Sequence, residues 1–157
     1  MILTIHTLFS ILALLTGIIF LMPKGTKLHK KLGYVYSFSM IICVTTSFGL
    51  FKIWGHFGVY HVLSIVSFVT LMFALFFPLF GRHRKGWVQS HLIWMGYSYV
   101  GLLMAGGSHL FGLTPDWPTW LQITLFWALP YVVGSVLIFS NRKKAAEAAK
   151  RNLYGRS

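Results

Sequence analysis

The sequence predicts an all-α membrane protein: a bundle of five transmembrane helices, with its N-terminus outside and its C-terminus in the cytoplasm. Three observations carry this. Of 157 residues, 56% are hydrophobic and only 10% charged, whereas a soluble domain carries about 25% charged residues. The apolar residues gather into five stretches, each about long enough to cross ~30 Å of hydrocarbon at 1.5 Å per residue. The basic residues sit in short clusters between those stretches, and rich and poor clusters alternate.

The stretches run over about 2–22, 33–53, 59–80, 91–112 and 119–140. Pro23 and Gly25 close the first, and the second gives out after Lys52. Arg82 ends the third, and Thr114-Pro115-Asp116 separates the fourth from the fifth. Pro130 falls inside the fifth, so a kink is expected there. The first stretch lacks a basic leader, and Met22-Pro23-Lys24 is a poor cleavage site, so it is read as a retained helix and not a signal peptide. Residues 1–140 then form the transmembrane bundle and 141–157 a basic cytoplasmic tail.

Loop charges set the orientation. Lys24, Lys27, Lys30 and Lys31 follow the first stretch, and only Lys52 follows the second. Arg82, Arg84 and Lys85 follow the third, and no basic residue lies between the fourth and fifth. The tail carries Arg142, Lys143, Lys144, Lys150, Arg151 and Arg156. Cytoplasmic loops are enriched in Lys and Arg, so the rich segments face the cytoplasm. Trp54, Trp117 and Trp120 then fall at the outer boundary, and Trp87 and Trp94 near the inner one, as an aromatic belt requires. Residues 145–151 read as a short basic helix on anionic headgroups or as a solvated tail.

The net charge of +12 sets 14 Lys and Arg against Asp116 and Glu147 alone. Nucleic-acid binding is excluded as its explanation, because the basic residues are confined to the loops and tail of a membrane chain. The length allows one domain. Cys43, the single cysteine, rules out an internal disulfide and reads as a small buried hydrophobe. Lys, Arg, Asp and Glu are essentially absent from the five cores, which argues against a carboxylate-driven pump. No Gly-rich phosphate loop, catalytic triad spacing or HExxH motif occurs.

Histidine is the polar chemistry that remains. His6, His56, His61 and His109 fall at the outer ends of the stretches, and His29, His83 and His91 at the inner ends. His91 and His109 are 18 positions apart, five whole turns or about 27 Å of rise, so they share a face near opposite surfaces. That face continues through Met95, Ser98, Leu102 and Ala105. The first helix offers His6, Ser10, Ala13 and Gly17, and the second His29, Gly33, Tyr36 and Met40. These stripes of small and mildly polar residues suit helix packing, so the histidine faces are expected to turn inward.

Three readings of the histidines stand side by side. Two neutral imidazoles from facing helices ligate haem b: His29 with His91 at the inner end, and His61 with His6 or His109 at the outer end. Alternatively His6, His61 and His109 hold zinc or copper, leaving an open position. In the third reading the histidines are interfacial and bonded to backbone, lipid phosphate or each other, which the Lys30-Lys31 pair after His29 and Trp94 near His91 favour. The candidate function is a histidine-ligated cofactor protein passing electrons near the quinone pool. The alternative is a non-enzymatic metal-binding or structural, lipid-binding component. Tyr97 and Tyr99 are candidates to line a quinone or lipid pocket, or simply to pack.

The run Pro23-Lys24-Gly25-Thr26, with His29-Lys30-Lys31-Leu32-Gly33-Tyr34-Val35-Tyr36, resembles the bacterial membrane proteins grouped as domain-of-unknown-function family 2306. His6, Trp54-Gly55-His56-Phe57 through His61-Val62-Leu63-Ser64-Ile65, and His91-Leu92-Ile93-Trp94-Met95 followed by Ser98-Tyr99 are similar too. The resemblance covers roughly residues 5–110. It implies a multi-pass protein of the bacterial cytoplasmic (inner) membrane with recurrent histidines at His6, His29, His61 and His91. The fifth helix, the tail and His109 are expected to lie outside the family pattern.

Overall fold

The structure, a computed structural model, describes residues 1–50 and 58–155; Lys52, Trp54, His56 and Arg156 lie outside them. Among the described residues the chain is all helical, with no strand. Helix α1 spans Ile2–Thr16 and tightens into a 3₁₀ turn over Gly17–Leu21. Helix α2 spans Lys27–Phe48, α3 Val59–Leu79 and α4 Trp87–Ser108. Helix α5 is composite: Thr119–Ile123, a π-helical turn over Thr124–Ala128, then Leu129–Tyr154.

Among the described residues three helices are long and apolar enough to cross a membrane: Ile2–Ile19, His61–Leu79 and Thr119–Tyr154. Helices α2 and α4 carry the histidine, serine, tyrosine and glycine faces, and these faces are inside. Tyr36, Ser39, Met40, Met95, Ser98 and Leu102 are buried, together with Ala13 of α1 and Leu71 and Ala74 of α3. Two polar atoms in this core are matched to each other, while Ser39 Oγ is buried with no hydrogen-bond partner among the described residues. Tyr36 Oη and Ser98 Oγ lie 3.0 Å apart, joining α2 to α4. Polar groups placed there serve the bundle without meeting lipid. Outside, Leu8, Leu15, Phe38, Val66, Val132, Val136 and Leu137 stand exposed. A contiguous apolar coat of this extent needs a non-aqueous solvent.

Close helix approach depends on missing side chains. A Cβ on Gly134 would sit 2.3 Å from Val100 Cγ2, and one on Gly96 2.7 Å from Ile138 Cδ1. Each glycine therefore accepts a branched side chain from the facing helix, which locks α4 to α5. Pro130 has no N–H to offer the carbonyl of Phe126, and the π-helical turn directly precedes it. A π-turn, a form that accommodates a broken hydrogen-bond ladder, stands where a kink was expected.

The ends of the elements shift from the sequence expectation in two informative ways. Helix α2 starts at Lys27, six residues before 33, because Thr26 caps it: its side-chain oxygen accepts from the His29 backbone N–H at 3.1 Å. Helix α5 does not stop near 140. It continues without a break to Tyr154, and Ala146 and Ala149 are buried against Val88, Trp87 and Leu92 at the start of α4. The picture of a separate basic helix on headgroups, or of a solvated tail, is corrected accordingly. The small alanines let this segment lie across the end of the bundle, while Glu147 and Lys150 face away.

Candidate functional site: a histidine cavity at the basic end

The Lys24 turn, the α3–α4 connection and the end of α5 converge at one end of the bundle. There they enclose a cavity of about 540 Å³, within the ~300–1,000 Å³ range of small-molecule sites. His29 of α2 and His91 of α4 both line it, as do Lys24, Lys30 and Arg82. Tyr36, Met95, Leu75, Trp87, Ala149, Leu153 and Tyr154 supply apolar wall. Tyr34, Phe38 and Leu79 also line it and are exposed, so the cavity reaches the apolar outer surface between α2 and α3.

His91 is held by a defect in α3. In a regular helix the Ala74 carbonyl would accept from the N–H of residue 78, but that residue is Pro78, which has none. The His91 Nδ1–H donates to this orphan carbonyl at 2.8 Å. The bond fixes the tautomer, so Nε2 keeps its lone pair. Ligating histidines characteristically anchor their second nitrogen in this way.

His29 stands one turn into α2, set by the Thr26 cap. Its Nδ1 is buried with no hydrogen-bond partner among the described residues. Buried polar atoms are rarely left so.

The turn before α2 explains the Pro-Lys-Gly-Thr run. Pro23 breaks the helix, Gly25 turns the chain at φ +80°, and Thr26 caps α2. Lys24 is buried and folds back so that Nζ donates to the Ile19 carbonyl at 3.0 Å, and burial lowers its ammonium to about 8. The α5 end seals this turn: Asn152 Nδ2 donates to the Lys24 carbonyl at 2.7 Å, and a Cβ on Gly25 would lie 2.9 Å from the Ala149 carbonyl. Lys30 and Lys31 after His29, and Trp94 near His91, pointed to interfacial positions; Ala149, Leu153 and Tyr154 of α5 line the cavity with them, which local sequence could not show.

Of the other histidines, His6 is anchored as His91 is, through Nδ1 to a carbonyl, and His61 is not. At the opposite end, His6 Nδ1–H donates to the Cys43 carbonyl at 3.0 Å and lies 3.1 Å from Thr46 Oγ1. His61 is buried, and its Nδ1 accepts from the Gly58 N–H at 3.1 Å, capping α3. That bond commits the Nδ1 lone pair and puts the proton on Nε2, so ligation by His61 would cost α3 its cap. His83 and His109 are exposed. Among the described residues no three His, Cys, Asp or Glu come together as a metal-holding group. The zinc or copper trio of His6, His61 and His109 is thus not assembled there. Of the residues singled out in the sequence, the structure brings His29 and His91 to one cavity and places His6, His61 and His109 elsewhere. Tyr97 and Tyr99 do not line this cavity: Tyr97 pairs with Ser135 Oγ at 3.2 Å, and Tyr99 donates to the Leu14 carbonyl at 3.2 Å. Lys24, Arg82 and Leu153 were not expected at a site, and only the small alanines of the tail could have pointed to its docking.

A family model described as a predicted membrane protein (DUF2306) matches residues 3–141. The match extends through α4 and into α5, so the expectation that the fifth helix and His109 lie outside the family is corrected. No curated protein and no solved structure matches the chain. The apolar coat, the three spanning-length helices and this coverage agree: the chain belongs to domain-of-unknown-function family 2306, a family of predicted membrane proteins.

Proposed function

We propose that the protein binds haem b in the basic-end cavity, where His29 and His91 would hold the iron, and serves electron transfer at the membrane. One observation carries the reading: two imidazoles from different helices line one cavity, His91 with its Nε2 lone pair left over and His29 with Nδ1 buried and unpartnered among the described residues. The residues suit the group. Apolar and aromatic walls accommodate a flat macrocycle, and neutral imidazole is the ligand form that iron requires. Bound there, haem b would supply a one-electron couple. The chain's own part is to fix the His91 ring and to bring His29 into the same cavity. A quinone of the bilayer is the proposed partner, since exposed Tyr34, Phe38 and Leu79 carry the cavity to the apolar surface.

The same proposal takes all five helices as spans in a bacterial cytoplasmic membrane, N-terminus outside. Alternation of basic loops supports it, and the more polar α2 and α4 are shielded by their neighbours. A reporter fused after Ser157 should be active only in the cytoplasm.

Protein purified in mild detergent from haem-replete cells should be red, with a Soret band that shifts on dithionite reduction. A colourless preparation that also fails to take up added haem would sink the reading and leave a structural or lipid-binding role.

A further inference from the structure

Three cations share the cavity with the two histidines, and their placement is not random. Lys24 is buried at its closed side, tied through Nζ to the Ile19 carbonyl. Arg82 is exposed and donates from Nε to the Pro78 carbonyl, which restrains its guanidinium beside the cavity. Lys30 follows His29 directly and is exposed at the rim. The sequence holds only two carboxylates, Asp116 and Glu147, and neither lines the cavity. The site therefore joins two imidazoles and apolar wall to a cationic edge, which fits an amphiphile whose polar edge is anionic.

We infer that Lys24, Lys30 and Arg82 bind the carboxylate groups of the ligand and so set which way round haem enters the cavity. The inference rests on the haem reading and adds to it a determinant of orientation and specificity. Charge-assisted hydrogen bonds are the strongest available to such groups, and a guanidinium offers a carboxylate two parallel donors. A cation held by a backbone carbonyl is also preorganised, so little side-chain freedom is lost when the anion arrives.

The test compares haem b with its dimethyl ester, which keeps the iron and the ring but has no carboxylates. Each is titrated into detergent-solubilised protein at neutral pH and followed by the Soret band. Haem should bind about tenfold or more tightly than the diester, and the double variant Lys30→Gln, Arg82→Gln should erase most of that preference. Its bis-histidine spectrum should persist. Equal binding of both compounds, with spectra that depend on His29 and His91, overturns the inference and leaves the haem reading standing. Binding of neither overturns the haem reading itself. A third arm separates the other source of anion: if phosphatidylglycerol, but not phosphatidylcholine, blocks both compounds alike, the cations serve a lipid phosphate and the inference fails.

Discussion

Replacing His91 with leucine is expected to abolish haem uptake and to lower the stability of the empty protein as well. The two losses have separate causes, so they can be measured separately. Uptake would fail because one of the two residues proposed to hold the iron is gone. Stability falls because the Ala74 carbonyl, already deprived of a helical donor by Pro78, loses the His91 Nδ1–H and remains buried without a partner. An orphaned buried acceptor costs about 1–3 kcal/mol, more than the added apolar bulk of leucine returns at that spot. Pro78→Ala provides the control. It restores an N–H at the position that serves Ala74, so His91→Leu should cost less in that background, and a double-mutant cycle would show coupling. His91→Gln, which keeps a side-chain donor, should recover much of the stability but none of the Soret band. Thermal melts of the four proteins in one detergent decide the matter, and additive losses would dismiss the role given to Pro78.

Gly25→Val should be the most damaging change in the turn before α2. Gly25 sits at φ +80°, where a residue with a Cβ is strained by roughly 1–2 kcal/mol. The new side chain would also drive into the Ala149 carbonyl, 2.9 Å from where its Cβ must lie, with Asn152 Cβ and Leu153 Cγ close behind. Either the turn or α5 must move. Movement breaks the Asn152–Lys24 bond and lifts the roof from His29. Expected outcomes are a lower melting temperature and faster proteolysis after residue 140 than in the parent protein. A truncation before Ala145 should reproduce the opened cavity without the backbone strain. If Gly25→Val melts like the parent and α5 stays protected, the roof is not what holds this end together.

Membrane residence was legible because it is a bulk property. Composition, the length of apolar runs and the position of basic clusters need no knowledge of packing, and helix existence followed from them. The inward stripes on α1, α2 and α4 were legible for a related reason: helical periodicity fixes which residues share a face, and Ala13, Tyr36, Met40, Met95, Ser98 and Leu102 are indeed buried. Periodicity could not say which face meets which neighbour. Ala105, on the same stripe as Ser98, is exposed.

What the histidines do was a tertiary decision. Seven side chains of one type carry no local mark of their roles, since a ring's chemistry depends on which nitrogen is engaged and by what. His61 caps a helix through Nδ1, while His91 donates from Nδ1 to a carbonyl freed by a proline thirteen residues earlier. Those two bonds leave opposite nitrogens protonated. The basic tail likewise reads as solvated because its charges are local, whereas its docking depends on two alanines, a glycine turn and an asparagine brought together from 128 residues away. By itself, then, the sequence determined that this protein lives in a membrane as packed helices with histidines near their ends. Only the folded chain decided that two of them share a roofed cavity, because burial and hydrogen-bond pairing are properties of neighbours and not of residues.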